Sequence, residues 1–207
     1  MKITRQLLVF DLDGVLIDET KKMHYDTLIE SIKHYNKDFV VTLKAEAIMS
    51  TSKTSQNKIA ELIKAGSSID PDTIFSIVNH KQRLTNHQID NLDTNEKLIS
   101  LLSKIHEHSP MAVASNSHSF TVDRILQQTR LDQFISFSIG NDLVRNTKPH
   151  PEIFWDCMSH FGYLPEETVI FEDSEQGQQA AIASGARLEK ILDNNHLLEV
   201  LEKKYVY

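Results

Sequence analysis

Gln6-Leu7-Leu8-Val9-Phe10-Asp11-Leu12-Asp13-Gly14-Val15-Leu16-Ile17-Asp18 is the stretch on which the reading of this chain turns. Gln6–Phe10 is a short apolar run that stops at an acid, the pattern of a strand buried on both faces in a parallel sheet. Asp11 and Asp13 stand two apart just past its carboxyl end, where open parallel sheets bind ligands. Gly14 lets the chain turn sharply beside them. An acidic turn that merely leaves a strand has the same local sequence, so the segment gains meaning from what surrounds it.

Three further runs of the same kind follow, Met111–Ser115, Phe134–Ile139 and Thr168–Phe171, and Leu188–Leu192 is a weaker fifth. Helical periodicity lies between them. Val122, Ile125 and Leu126 share one face, as do Phe154, Cys157, Met158 and Phe161. Pro151 suits the first turn of the latter helix and Gly162 the position past its end. Ala180–Ala183 belongs to a small-residue helix that Gly185 can stop, and Leu197–Leu201 to a last helix. Strand alternating with helix predicts an α/β fold, a Rossmann-like, doubly wound parallel sheet with right-handed crossovers. The stretch from Glu19 to Asp93 breaks that rhythm. Leu28, Ile29 and Ile32 make one helical face and Ile59, Leu62 and Ile63 another, and Thr73–Leu84 reads as a third helix. The expected organisation is an α/β core of residues 1–18 and 94–207, with a helical cap, residues 19–93, inserted after the first strand.

With 207 residues, 40% hydrophobic and 25% charged, the chain has material for a real core. Disorder and a disulfide-stapled miniature fold are excluded. No apolar run approaches the roughly 20 residues of a membrane span, and the N-terminal run is too short for a secretory leader. A cytoplasmic protein is expected, with no membrane partner. The 22 Lys and Arg against 29 Asp and Glu leave a formal charge of −7, which argues against nucleic-acid binding. It leaves small anionic substrates open, because a local pocket can oppose the net charge. The single Cys157 makes a thiolate metal site untenable and reads as core. A monomer is expected.

Three more polar clusters sit at or just after later strand ends. Ser115-Asn116 offers a hydroxyl and amides at a helix start, although a plain N-cap looks the same. Lys148 lies in Asn146–Glu152, where a surface lysine is the plain alternative. Glu172-Asp173-Ser174, followed by Gly177, ends the Thr168–Phe171 run, where a cap would again suffice. Strand order predicts that all of them meet along one sheet edge. Together they supply a carboxylate cage, a hydroxyl and a cation, the parts of Mg²⁺-assisted phosphoryl transfer.

In that order the segments resemble the four motifs of the haloacid dehalogenase superfamily: residues 11–18, 114–117, Lys148 and 171–186. The last is similar to the subfamily of β-phosphoglucomutase and small sugar-phosphate phosphatases, and the helical insert resembles that subfamily's cap. The resemblance implies that Asp11 is the nucleophile that forms an aspartyl-phosphate. It implies that Asp13 protonates the leaving oxygen and then deprotonates the attacking water. Mg²⁺ would be held by Asp11, the Asp13 carbonyl and Asp173, with Glu172 close by or through water. Ser115 and Asn116 would bind phosphoryl oxygens, and Lys148 would neutralise charge the metal does not reach.

The departures bear on substrate. Ser50 stands where the subfamily often has glycine, and Ser52-Lys53 replaces a Ser-Arg pair, exchanging a bidentate fork for a point charge. Ser52 and Lys53 are the expected specificity residues of the cap. His118 stands where the mutase has a phosphate-contacting lysine. His24 stands near the position of a histidine of the mutase, with one residue inserted after Asp18, and Lys81 could face the site from the third cap helix, but both read more plainly as helix-surface residues. His106 and His108 read as surface, and Trp155 as helix-face packing. The expected function is Mg²⁺-dependent hydrolysis of a small phosphorylated metabolite, a sugar or polyol phosphate. A phosphomutase and a catalytically silent binding protein on the same fold are the alternatives.

Overall fold

A computed structural model describes residues 5–206. The strands are β1 (Leu7–Phe10), β2 (Met111–Ala114), β3 (Phe137–Ile139), β4 (Thr168–Glu172) and β5 (Arg187–Lys190). They form one parallel sheet of order β3-β2-β1-β4-β5. The first apolar run is therefore the central strand, and every residue of β1 is fully buried. The two-residue pleat sends Leu8 and Phe10 into one apolar cluster and Leu7 and Val9 into another. Phe10 stacks on Phe171 of β4 with ring centroids 4.6 Å apart. Burying each such side chain is worth about 1.5–3 kcal/mol.

Between β1 and β2 run α1 (Glu19–Tyr35), α2 (Leu43–Met49), α3 (Ser55–Lys64), α4 (Ile74–Ile89) and α5 (Glu96–His106). After β2 come α6 (Ser119–Gln128), α7 (Glu152–Phe161), α8 (Glu175–Ser184) and α9 (Asn194–Lys204). One sheet face is covered by α5, α6 and α9 through residues such as Leu102, Ile125 and Leu201. The other is covered by α7 and α8 through Phe154, Cys157 and Ala180. The first four helices enclose a cluster of their own, with Leu28, Met49, Ile59 and Ile77 at its centre. Gly162 and Gly185 end α7 and α8 in the left-handed conformation expected of them. No helix of the described residues is long and apolar enough to cross a membrane.

Two strands and one short helix differ from the sequence expectation, and α4 runs past the expected Leu84 to Ile89. Phe134 and Ile135 precede β3 and pack under the sheet beside a 3₁₀ turn at Leu131–Gln133. Their apolar character serves burial without strand pairing. β5 is Arg187–Lys190; Ile191 is buried beyond it and Leu192 is exposed. The short α2 escapes periodicity because it buries only Ala45 and Met49; its one local signal is Thr42, whose hydroxyl accepts from the Ala45 amide.

Candidate active site

Parallel strands point their carboxyl ends the same way, so adjacent β2, β1 and β4 deliver Ser115, Asp11 and Glu172-Asp173 to one edge. The ladder continues one residue past β1 and β2. The Asp11 amide donates to Phe171 O at 2.9 Å and the Ser115 amide to Ile139 O at 3.0 Å. Gly14, at φ 91°, then turns the chain, and its amide closes onto Ile17 O at 2.8 Å. That turn keeps Asp13 at the same cavity as Asp11, and a side chain at Gly14 would collide with Lys21.

Lys148, from the loop before α7, is buried and is the electrostatic centre of the site. Its ammonium donates to Asp11 Oδ1 at 2.6 Å, Glu172 Oε2 at 2.7 Å and Ala114 O at 2.8 Å. All three of its protons are engaged, so its charge acts through Asp11 and Glu172. Burial alone would lower its pKa, but the two carboxylates hold the ammonium above its ordinary value. Burial, then Glu172, push Asp11 well above the usual carboxylate range against the pull of Lys148.

The second oxygen of Glu172 accepts from the Ser174 hydroxyl at 2.8 Å and from the Asp173 and Ser174 amides. Gly177 is glycine for a steric reason: a Cβ there would overlap the Glu172 carboxylate. One Asp173 oxygen meets the Lys21 ammonium, and the other, Oδ1, is buried without a hydrogen-bond partner. Carboxylate oxygens of Asp11, Glu172 and Asp173 lie within 4.8 Å of one another. An all-oxygen, anionic donor set with one donor left unsatisfied fits a hard divalent cation such as Mg²⁺. The fit is through Asp11 and Asp173, since Glu172 has both oxygens engaged.

Asp13 is governed from the helical insert. Lys81 Nζ lies 2.7 Å from His24 Nδ1. An ammonium there requires a lone pair on Nδ1, which puts the proton on Nε2 and leaves the ring neutral. His24 Nε2 meets Ser117 Oγ at 3.1 Å, and Ser117 Oγ donates to Asp13 Oδ2 at 2.9 Å. Burial and then Lys81 lower the His24 pKa, in accord with the neutral ring. Burial would raise Asp13, but the charge of His24 whenever that ring is protonated, and hydrogen bonds such as that from Ser117, hold the carboxyl below its usual range. Asp13 Oδ1 is 3.2 Å from His24 Nε2 yet has no hydrogen bond, a buried acceptor facing the site.

The insert covers this edge, and a half-open cavity of about 560 Å³ lies between the two. The side-chain amide of Asn116 donates to Ser52 O at 2.8 Å, tying the expected specificity loop to the second motif. Gln82 of α4 bonds to Thr121 of α6 as a second tie. Ser115, fully buried, accepts from the Ser117 amide and donates to Asp13 Oδ2 at 3.3 Å. Lys53 lines the cavity with its ammonium paired to Glu61.

Two expectations fail here. His24 and Lys81 are not surface residues; Lys81 is buried and His24 is partly buried, on the facing sides of α1 and α4, which are joined by Thr27–Thr85 at 3.2 Å. Lys58, on α3, is the third insert residue at the cavity and was not singled out by the sequence. A signal exists for all three. His24 stands four residues before Leu28, Lys58 four before Leu62 and Lys81 four after Ile77, each a polar residue on a buried helical face. Cys157 is core as expected, and burial pushes its thiol up to about 12. Trp155 is partly exposed and donates to Ser184 O.

A parallel sheet that gathers carboxylates around one buried lysine, beneath a helical lid, defines an α/β phosphoryl-transfer enzyme. Residues 8–190 match the protein-family model described as haloacid dehalogenase-like hydrolase, and the chain belongs to that family as a phosphatase. It is 28% identical over 180 residues to fructose-1-phosphate phosphatase YqaB of Escherichia coli strain K12, covering 86% of this chain and 92% of the relative. It is 24% identical over 194 residues to a phosphorylated carbohydrates phosphatase of Thermotoga maritima, covering 93% and 87%. The fold matches that of β-phosphoglucomutase from Clostridium difficile with a TM-score of 0.77 at 20% identity, over 93% of this chain and 87% of that one.

Proposed function

We propose that the protein hydrolyses a small phosphomonoester of the sugar or polyol phosphate class through an aspartyl-phosphate, with residues 19–93 acting as a cap. The observation that supports this most is a pair of carboxylate groups at one cavity: Asp11, paired to Lys148, and Asp13, whose Oδ1 is unpartnered. Asp11 attacks phosphorus. Asp13 Oδ1 faces the leaving oxygen, to which it delivers a proton, and then takes one from the attacking water. An arriving phosphate dianion raises the proton affinity of Asp13 by Coulomb repulsion, which readies it as the acid. Ser115 and Asn116 hold phosphoryl oxygens, Lys148 steadies Asp11 against the dianion, and Ser52 and Lys53 border the leaving group. Mg²⁺, held by Asp11, the Asp13 carbonyl and Asp173 with Glu172 alongside, would supply charge neutralisation between nucleophile and phosphate. The homologous phosphatases of sugar phosphates support the substrate class. A panel of phosphomonoesters assayed for Mg²⁺-dependent phosphate release tests the reading; no release from any member overturns it.

Asp173→Asn is expected to weaken Mg²⁺ and activity together. In the wild type, saturating Mg²⁺ raises the melting temperature, by mass action worth about 2.7 kcal/mol at a concentration 100 times its Kd. The variant should lose most of that rise. The effect has a pH sign. Burial raises Asp11 and Asp173 above the ordinary 3.8, so the metal-free native state holds protons that the unfolded chain has released. Stability of the metal-free protein therefore falls as pH rises from about 4 toward those raised values. Stabilisation by Mg²⁺ grows over the same window. A melting rise that is equal at pH 5 and pH 7.5, or unaltered in Asp173→Asn, places the metal elsewhere.

His24→Asn interrupts the path from Lys81 to Ser117 and Asp13. We expect kcat to fall by roughly 10- to 100-fold with a displaced pH–rate profile, as for a residue that orients an acid–base group. A change in KM alone, with kcat and its pH profile kept, would mark His24 as packing.

A further inference from the structure

The chain is acidic overall, yet the cavity above Asp11 and Asp13 is lined by five Lys and Arg residues and three Asp. Two of those cations are accounted for, Lys148 by Asp11 and Glu172 and Lys53 by Glu61; Arg145, on the core loop before α7, lies outside the insert. Lys81 touches only the neutral ring of His24. Lys58 lines the same cavity and has no ion-pair partner among the described residues. Burial drags both ammonium groups down to about 8, with Asp13 opposing, and Lys58 further disfavours the charge on Lys81. Two desolvated cations that share one carboxylate are electrostatically underserved, and an anion brought between them relieves both.

Position decides which anion. Phosphorus lies at Asp11 during attack, and Asp13 faces the leaving oxygen. Lys58 on α3 and Lys81 on α4 belong to the insert, and the carboxylate that acts on both is Asp13, the acid assigned to the leaving oxygen, so they are placed for the leaving group and not for the phosphoryl group at Asp11. We propose that Lys58, with Lys81, binds a second anionic group, a carboxylate or a phosphate, carried by the leaving group of the substrate. This rests on the phosphatase reading and narrows it to phosphorylated sugar or polyol acids and bisphosphates. Lys53, which the sequence points to, is engaged by Glu61 and is not the discriminating cation.

The test uses matched pairs that differ in one charge: 3-phosphoglycerate against glycerol 3-phosphate, and fructose 1,6-bisphosphate against fructose 1-phosphate. Wild type is expected to prefer the more anionic member of at least one pair by about 10-fold or more in kcat/KM, the scale of a desolvated charge pair. The pair that responds tells carboxylate from phosphate. Lys58→Met should bring the ratio toward unity, and Lys58→Arg should restore it. Calorimetric binding of the same compounds to the Asp11→Asn protein provides a readout without turnover. Equal kcat/KM within both pairs, or equal losses for both members in Lys58→Met, overturns the anion site and leaves the phosphatase reading standing. Charge-selective binding to Asp11→Asn, lost in Asp11→Asn/Lys58→Met, with no phosphate release by wild type, upholds the anion site and overturns the phosphatase reading. Failure of Asp11→Asn to bind either member of both pairs overturns the anion site.

Discussion

Asp11→Asn is expected to lower phosphate release by on the order of 10⁴-fold or more, since the amide is a far poorer nucleophile than the carboxylate. The fold should survive. The amide oxygen can still accept from Lys148, which keeps Glu172 and Ala114 O as partners. The metal-free variant is expected to melt at or above wild type at pH 7.5. Burial and Glu172 both disfavour the Asp11 carboxylate, and a carboxyl raised in the native state withdraws stability as pH climbs above its unfolded value. Activity and stability therefore move in opposite directions, which a general loss of folding cannot imitate. Phosphate release near the wild-type rate would remove Asp11 from the mechanism.

Lys148→Met has the second large effect, and there activity and stability fall together. Methionine fills much of the same volume beside Phe154 but leaves Asp11 and Glu172 as two buried carboxylates with no cation between them. Removing one partner of a buried charge cluster costs about 3–5 kcal/mol. Urea denaturation at pH 7.5 should show a loss of that order. The loss should shrink as pH falls, because with the ammonium gone Asp11, already raised by burial, takes up a proton at higher pH and sheds its uncompensated charge. A loss below about 1 kcal/mol, the scale of an exposed ion pair, would mean that Lys148 is not the counter-ion of the cluster.

Much of the architecture is legible in the sequence for a simple reason. A strand covered on both faces must be apolar throughout, so Leu7–Phe10, Met111–Ala114 and Thr168–Phe171 announce themselves without reference to any other residue. Their order, with helices between, then places Asp11, Ser115 and Glu172-Asp173 on one edge, because parallel strands share a direction. β5 was weak by the same rule. It is an edge strand whose side chains are partly or largely exposed, so no apolar run is required of Arg187–Lys190.

The side chains that govern Asp13 show where that reasoning stops. Helical periodicity identifies the face on which His24, Lys58 and Lys81 lie, but it does not say what packs against that face. From sequence, a polar residue there looks like a lapse in the apolar stripe. Only the packing of α1, α3 and α4 over the sheet edge brings these residues to one carboxylate. Likewise, Lys53 becomes a neutralised charge only when Glu61 is beside it, and Glu172 loses its free oxygens only when Lys148 and the Ser174 turn close on it. The sequence by itself determined the sheet, the site's place on its edge and the class of chemistry, because those follow from local periodicity and strand direction. The tertiary structure alone decided which charges are free. That depends on distances between residues remote in the chain and on how far each is removed from water, and neither is written in a one-dimensional pattern.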